Sequence, residues 1–162
     1  MGIRILSRPL VLLSVLGLVG AALNLSAQEP DASSADAEAV SEVVRTLAAQ
    51  IQAKEMEPLD TLFAPGRDVH ILEGSGVDHG WAEYRDHHLV PELEEMENLS
   101  YRYHGVEAQV RGDVAWASFQ YELGADLDDE RIEVEGRGTA ILERLNGGWR
   151  VVHLHTSGRR TN

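Results

Sequence analysis

Cysteine is absent from the 162-residue chain. No disulfide can form and no lipid can be attached through a thiol, so stability rests on an apolar core and a lipoprotein anchor is excluded. Positive charge is scarce as well: 14 Lys and Arg face 27 Asp and Glu, a formal net charge of −13. Nucleic acid requires a basic footprint and an anionic membrane surface attracts basic segments, so both are poor partners for this chain. Long apolar runs are missing too. The stretch 9–23 is shorter than the roughly 20 residues of a spanning helix, which argues against a membrane anchor.

That stretch has another reading. Arg4 and Arg8 precede it and Leu25-Ser26-Ala27 follows it as a small-residue cleavage site, the layout of a secretory signal peptide over 1–27. The two arginines are not adjacent, so no twin-arginine signal is present. The expected mature protein begins near Gln28, is periplasmic or secreted from a bacterium, and has no membrane association after processing. Residues 1–27 hold two of the 14 basic residues and none of the acidic ones, leaving 12 against 27, a net charge of −15. About 135 residues remain, enough for one core and too few for two.

Residues 28–36 are small and polar and predict a flexible lead-in. Ser33 and Asp36 fit a capping box, and Val40, Val43, Val44, Leu47 and Ile51 recur at helical spacing, predicting a helix over 37–54. Pro58 suits the first turn of a short helix over 58–63. A strand over 68–73 and a bend at Gly74, Gly76 and Gly80 follow. Residues 81–96 read as a helix that brings Trp81, Tyr84, Arg85, His88 and Glu92 onto one face. Pro91 should kink or end it by removing a donor and freeing the carbonyl of His87, turning His88 and Glu92 toward a cavity.

From 99 onward the pattern is strand and hairpin: 99–110, 113–123, 131–145 and 148–156, joined by short turns and so antiparallel. Gly136 and Gly138, two residues apart in mid-strand, predict a bend or a close backbone approach. The second of these strands is apolar on both faces and carries Trp116, which predicts a dimer through the open sheet face. In the last strand a period of two places Trp149, Val151, His153 and His155 on one face. Imidazole titrates near neutrality and binds metals, so this pair is the first lead to chemistry.

The order of elements and the ending Gly138-Thr-Ala-Ile-Leu-Glu-Arg-Leu-Asn-Gly-Gly-Trp-Arg-Val-Val-His-Leu-His-Thr-Ser-Gly158 resemble the nuclear transport factor 2-like superfamily. Within it they are similar to the SnoaL-like branch and to the association domain of calcium/calmodulin-dependent kinase II. The resemblance spans 37–158, leaving 159–162 as a tail. It implies an α+β fold, a cone-shaped curved antiparallel sheet with helices packed on its concave face, often assembled as a homodimer. Members include ketosteroid isomerases, polyketide cyclases, dehydratases and non-enzymatic assembly domains. His153 and His155 match the family's His-x-His. The kinase domain's pocket arginine has no counterpart, since Ala140 follows Thr139, and Arg137 offers the nearby guanidinium.

Three functions are open on this reading. The first is a pocket for a small, largely apolar molecule, with general acid or base chemistry of isomerase, cyclase or lyase type by His153, His155, His88 and Tyr84. Trp81, Glu92, Arg137 and His70 would line that pocket. The second is a metal site, zinc being the best match, drawn from His88, Glu92, His153 and His155 with His70 or Glu73 in reach. The third is a binding or dimeric assembly module without turnover. No cofactor is expected under the first or third.

Overall fold

The computed structural model describes residues 32–66, 68–128 and 130–162. The expected signal peptide, and 28–31 of the lead-in, lie outside them. Among the described residues no helix is long and apolar enough to cross a membrane. Helix α1 is Ala32–Ala53 and α2 is Met56–Asp60. Strands β1, His70–Glu73, and β2, Gly76–His79, form a hairpin. Then come α3, Trp81–Tyr84, a π-helical turn at Arg85–Leu89, and α4, Val90–Glu95. Four long strands finish the chain: β3 Glu97–Arg111, β4 Val114–Leu127, β5 Glu130–Leu145 and β6 Gly148–Arg160.

The six strands make one curved, unclosed sheet in the order β2-β1-β6-β5-β4-β3, antiparallel except where β1 runs parallel to β6. This is the α+β cone the sequence predicts. Val40, Val44, Leu47, Ala48 and Ile51 of α1 are buried, the stripe that an apolar period of 3.6 residues produces, and the helix lies along β3. It begins earlier than its apolar period indicates. Residues 32–36 are helical, Ser33 sits inside the helix instead of capping it, and Asp36 accepts from Arg144 Nη2 at 2.6 Å. That tie anchors a turn which composition alone marks as mobile.

Three further differences from the pattern place the site. The glycine-rich bend contains β2, a strand only four residues long, too short for alternation to register. Pro91 does not break the helical segment. The preceding turn widens so that the Val90 N–H donates to the Arg85 carbonyl five residues back, which makes room for the proline ring where an α-turn would clash.

The third difference is in β6. Leu142 pairs with Val151 but Ile141 pairs with His153, so Val152 is a β-bulge. A bulge adds one residue to one strand and reverses every side chain beyond it. Trp149 and Val151 are buried, and after the bulge the buried residues are Leu154 and Thr156. His153 and His155 therefore face away from the core.

Gly136 and Gly138 mark a close approach. A methyl group at Gly138 would meet the Phe119 ring, and one at Gly136 would meet the Tyr121 ring and the Ser157 carbonyl. The two bare positions let these rings lie flat on the concave face. Tyr103 then stacks on Phe119 with centroids 4.1 Å apart, which holds Tyr103 in the wall of a cavity between sheet and helices.

Candidate functional site

Between α1, the α3–α4 segment and the concave face lies a narrow cavity with about 40 Å³ open to the centre of a water molecule, room for a few waters. Its apolar wall includes Ile51, Leu89, Leu93, Met96, Leu123 and Leu154, and its polar residues are Glu73, Glu92, Tyr84, Tyr101, Tyr103 and Thr156. Lys54 fixes the end of α4 over it, donating Nζ–H to the carbonyls of Leu93 at 2.6 Å and Met96 at 2.8 Å. A cation there offsets the partial negative charge of the helix terminus.

At the mouth stands a connected polar cluster. The Tyr84 hydroxyl donates to Glu73 Oε2 at 2.8 Å, and His88 Nδ1 is 3.1 Å from Asp78 Oδ2. His88 Nε2 is 3.2 Å from Glu92 Oε1 and 3.8 Å from Glu73 Oε2. His88 reaches these groups from the π-turn, Glu92 from the next turn of α4, and Asp78 from the hairpin strand that bends over them. Burial pushes the His88 pKa down, but the Asp78 hydrogen bond and the charges of Glu92, Glu73 and Asp78 outweigh it, and the net shift is upward. Burial raises the Glu92 pKa, the Glu73 charge adds to that, and His88 opposes it.

Deeper in the cavity the hydroxyls of Tyr101 and Tyr103 lie 3.0 Å apart. Burial pushes both phenols up, as it does Tyr84, so all three are neutral donors at physiological pH. Carboxylates at the mouth and neutral hydroxyls within can move a proton and bind the oxygen on which charge then develops.

The structure thus gathers His88, Glu92 and Tyr84 and joins Glu73 to them. It does not bring His153, His155, His70 or Arg137 there. The bulge at Val152 turns His153 and His155 outward, where His153 lies beside His70 and the His70 ring meets the His79 ring at 5.0 Å. Arg137 is exposed on that outer face between Gln120 and Ser157. Trp81 is buried, but against Phe63 at 4.2 Å, donating Nε1–H to Asp60 at 2.6 Å, so it walls a separate cleft. Sequence reasoning missed Tyr101, Tyr103 and Asp78 as site residues. The spacing Tyr101-x-Tyr103 on one strand face was a usable signal, whereas Asp78 had none without the hairpin.

A family model described as a SnoaL-like domain matches residues 40–159. The chain belongs to the SnoaL-like domain family. No curated protein shows significant sequence similarity to it. Among solved structures, a nuclear transport factor 2-like superfamily protein from Salmonella enterica serovar Typhimurium is 20% identical with a TM-score of 0.72, over 81% of this chain and 96% of that one. A protein from Streptomyces avermitilis, provisionally named a dehydratase of the same fold family, is 18% identical with a TM-score of 0.68, over 78% and 97%. A third, from Xanthomonas campestris, provisionally assigned as a calcium/calmodulin-dependent protein kinase II association domain, is 16% identical with a TM-score of 0.61, over 74% and 85%. Likeness at these identities establishes the fold and leaves the chemistry to the residues of this SnoaL-like domain.

Two expectations follow from the placement of its histidines. His155 is exposed on the outer face, so His155→Ala should change the unfolding free energy by no more than about 0.5 kcal/mol in urea melts. His88 is different. Its folded pKa lies above the ordinary value of 6.5, so its contribution to stability is fully present below that pH and is lost as pH rises through the folded value. Thermal melts in steps from acid to alkaline pH should show the wild-type protein losing stability above pH 6.5 in a way that His88→Ala does not. Parallel curves for the two proteins would show that the cluster does not hold His88 in its charged form.

Proposed function

We propose that the domain catalyses proton transfer beside the carbonyl of a small, largely apolar ketone, in an isomerisation or in the elimination of a group β to the carbonyl. One observation carries this: a carboxylate pair and two neutral tyrosine hydroxyls line the same small apolar cavity. Glu92 is the general base. Burial and Glu73 raise its pKa toward working pH, where a base is most effective. It takes a proton from the carbon next to the carbonyl. The C–H pair becomes the C=C bond of an enolate, and the carbonyl π pair moves to oxygen, where it is met by the O–H groups of Tyr101 and Tyr103. The protonated Glu92 then gives its proton to another carbon of the enolate in an isomerisation, or to the departing group in an elimination. His88 is a positioning residue, donating Nδ1–H to Asp78 and Nε2–H to Glu92. The dehydratase name of the Streptomyces relative is consistent with chemistry of this class.

The test is a titration with acetone and butanone, ketones near the size of the few waters the cavity holds, followed by NMR of tyrosine-labelled protein. The expected result is saturable shifts at Tyr101 and Tyr103 that Tyr103→Phe weakens. No saturable shift at Tyr101 or Tyr103 would overturn the assignment.

Two further proposals concern the whole chain. Val77, Val114 and Ile141 are exposed on the strands, at 53%, 42% and 36%, which supports a homodimer through the outer face. Light scattering should then give twice the chain mass, and a monomer at micromolar concentration would count against it. Residues 1–27 are proposed to direct export, in which case mass spectrometry of the exported protein finds an N-terminus near Gln28.

A further inference from the structure

We propose that Glu73, His88 and Glu92 bind one divalent transition cation of the manganese or zinc class. One donor atom from each residue lies within 4.8 Å of the other two, the one such group among the described residues. His88 Nε2 is 3.2 Å from Glu92 Oε1 and 3.8 Å from Glu73 Oε2. Donors about 2.0 to 2.2 Å from a common ion stand roughly 3.0 to 3.5 Å from each other at right-angle to tetrahedral geometry. Two of the three separations are already within a few tenths of an ångström of that range, and the third lies within 4.8 Å, so the two carboxylates need only draw together on their side chains to close on a cation.

The surroundings fit a ligand set better than a plain ion pair. His88 has its second nitrogen, Nδ1, on the Asp78 carboxylate at 3.1 Å, and a carboxylate behind a histidine is what orients a metal-binding imidazole and increases its basicity. The Tyr84 hydroxyl donates to Glu73 Oε2, the oxygen that faces His88, and so fixes where that carboxylate stands. Three carboxylates surround one imidazole, and among the described residues none of the three pairs with a lysine or arginine. The group is short of positive charge even with His88 protonated, and a divalent ion supplies it. One nitrogen and two carboxylate oxygens suit manganese or zinc. Three protein ligands leave a coordination position open, and both carboxylates line the cavity, so that position is accessible to a small molecule bound there.

The outer-face histidines are the competing site. His70, His79, His153 and His155 are close in pairs but do not gather three donors. They would take zinc weakly and manganese, which prefers oxygen, less well.

The inference rests on the proton-transfer reading only for the place of the working site. With a cation bound, Glu92 and His88 Nε2 are its ligands, so proton abstraction by Glu92 belongs to the metal-free protein. The cation is measured with no organic ligand present and proton exchange with EDTA present, so either idea can fail while the other stands. The experiment is a manganese(II) titration of EDTA-treated, dialysed protein followed by electron paramagnetic resonance, then zinc(II) calorimetry. The wild-type protein should bind one manganese ion per chain. His88→Ala and Glu92→Gln should each weaken binding at least ~100-fold, and Asp78→Asn about 10- to 100-fold through loss of the orienting carboxylate. The double variant His70→Ala with His153→Ala should bind as wild type does. The Glu92 side chain is half-exposed and Gln keeps its shape, so Glu92→Gln keeps the fold, which its thermal melt checks. No saturable manganese binding up to ~1 mM, a weak limit for functional cation sites, overturns the proposal. So does affinity that survives His88→Ala and Glu92→Gln, or that disappears with His70 and His153.

Discussion

Replacing Trp149 with alanine is expected to lower the unfolding free energy by about 3 to 5 kcal/mol, the range for truncating a buried large aromatic. The indole is 4% exposed and lies under the Arg144 guanidinium, which stands 4.3 Å from the ring centroid. Arg144 in turn pairs with Asp36 of α1 at 2.6 Å and Asp113 of the β3–β4 turn at 3.5 Å. Trp149 thus supports the contact that fastens the first turns of α1 to the sheet, and its loss leaves both a void and a less ordered helix start. Its Nε1–H is buried without a hydrogen-bond partner among the described residues, a cost that a phenyl ring does not carry. Trp149→Phe should therefore recover much of the stability lost in the alanine variant. Urea melts of the three proteins measure both differences. A loss of less than about 1 kcal/mol in the alanine variant would mean that the site collapses around the void and that the indole supports nothing beyond itself.

What could be read in advance divides by the range of the interaction. Periodicity is local, so the stripe of α1, the four long strands and the face carrying Tyr84, His88 and Glu92 were legible from residue spacing. Register over a bulge is not local. The pairing of β6 with β5 inserts Val152, and that one residue sends His153 and His155 outward, although Trp149 and Val151 point inward as alternation requires. Pro91 marked the place where the helix is disturbed, and the disturbance takes the form of a π-turn and not an end. A widened turn satisfied its steric demand without a break, and the helical face carried on to Glu92. The glycines at 136 and 138 announced a close approach, but the rings that approach, Phe119 and Tyr121, come from the neighbouring strand. Asp78 was hidden because a four-residue strand flanked by glycines has no periodic signature. Its importance arises entirely from the fold of the hairpin over His88.

The largest functional effect is expected from Tyr103→Phe and Glu92→Gln in an assay that requires no knowledge of the natural substrate. A base next to a bound ketone, with donors on the ketone oxygen, exchanges the hydrogens beside the carbonyl with solvent. Acetone and butanone in D₂O with EDTA present, followed by NMR, report that exchange on the metal-free protein. Wild-type protein should accelerate it over buffer. Removing one donor to the developing oxyanion lowers such rates by about 10² to 10³, and removing the base by about 10² to 10⁴. Tyr103→Phe deletes one hydroxyl from the 3.0 Å pair and leaves Tyr101 in place. The ring keeps its stack on Phe119, so stability should fall by only about 1 kcal/mol while exchange falls far more. Glu92→Gln keeps shape and a hydrogen-bond acceptor for His88 but cannot accept a proton. His88→Ala should be milder than either, because the imidazole positions Glu92 and does not touch the ketone, and its effect should diminish as pH rises and His88 loses its charge. Exchange no faster than buffer in the wild type would remove proton abstraction from the list of things this cavity does. Equal rates in wild type and Glu92→Gln would move the base elsewhere, Glu73 being the next carboxylate in reach.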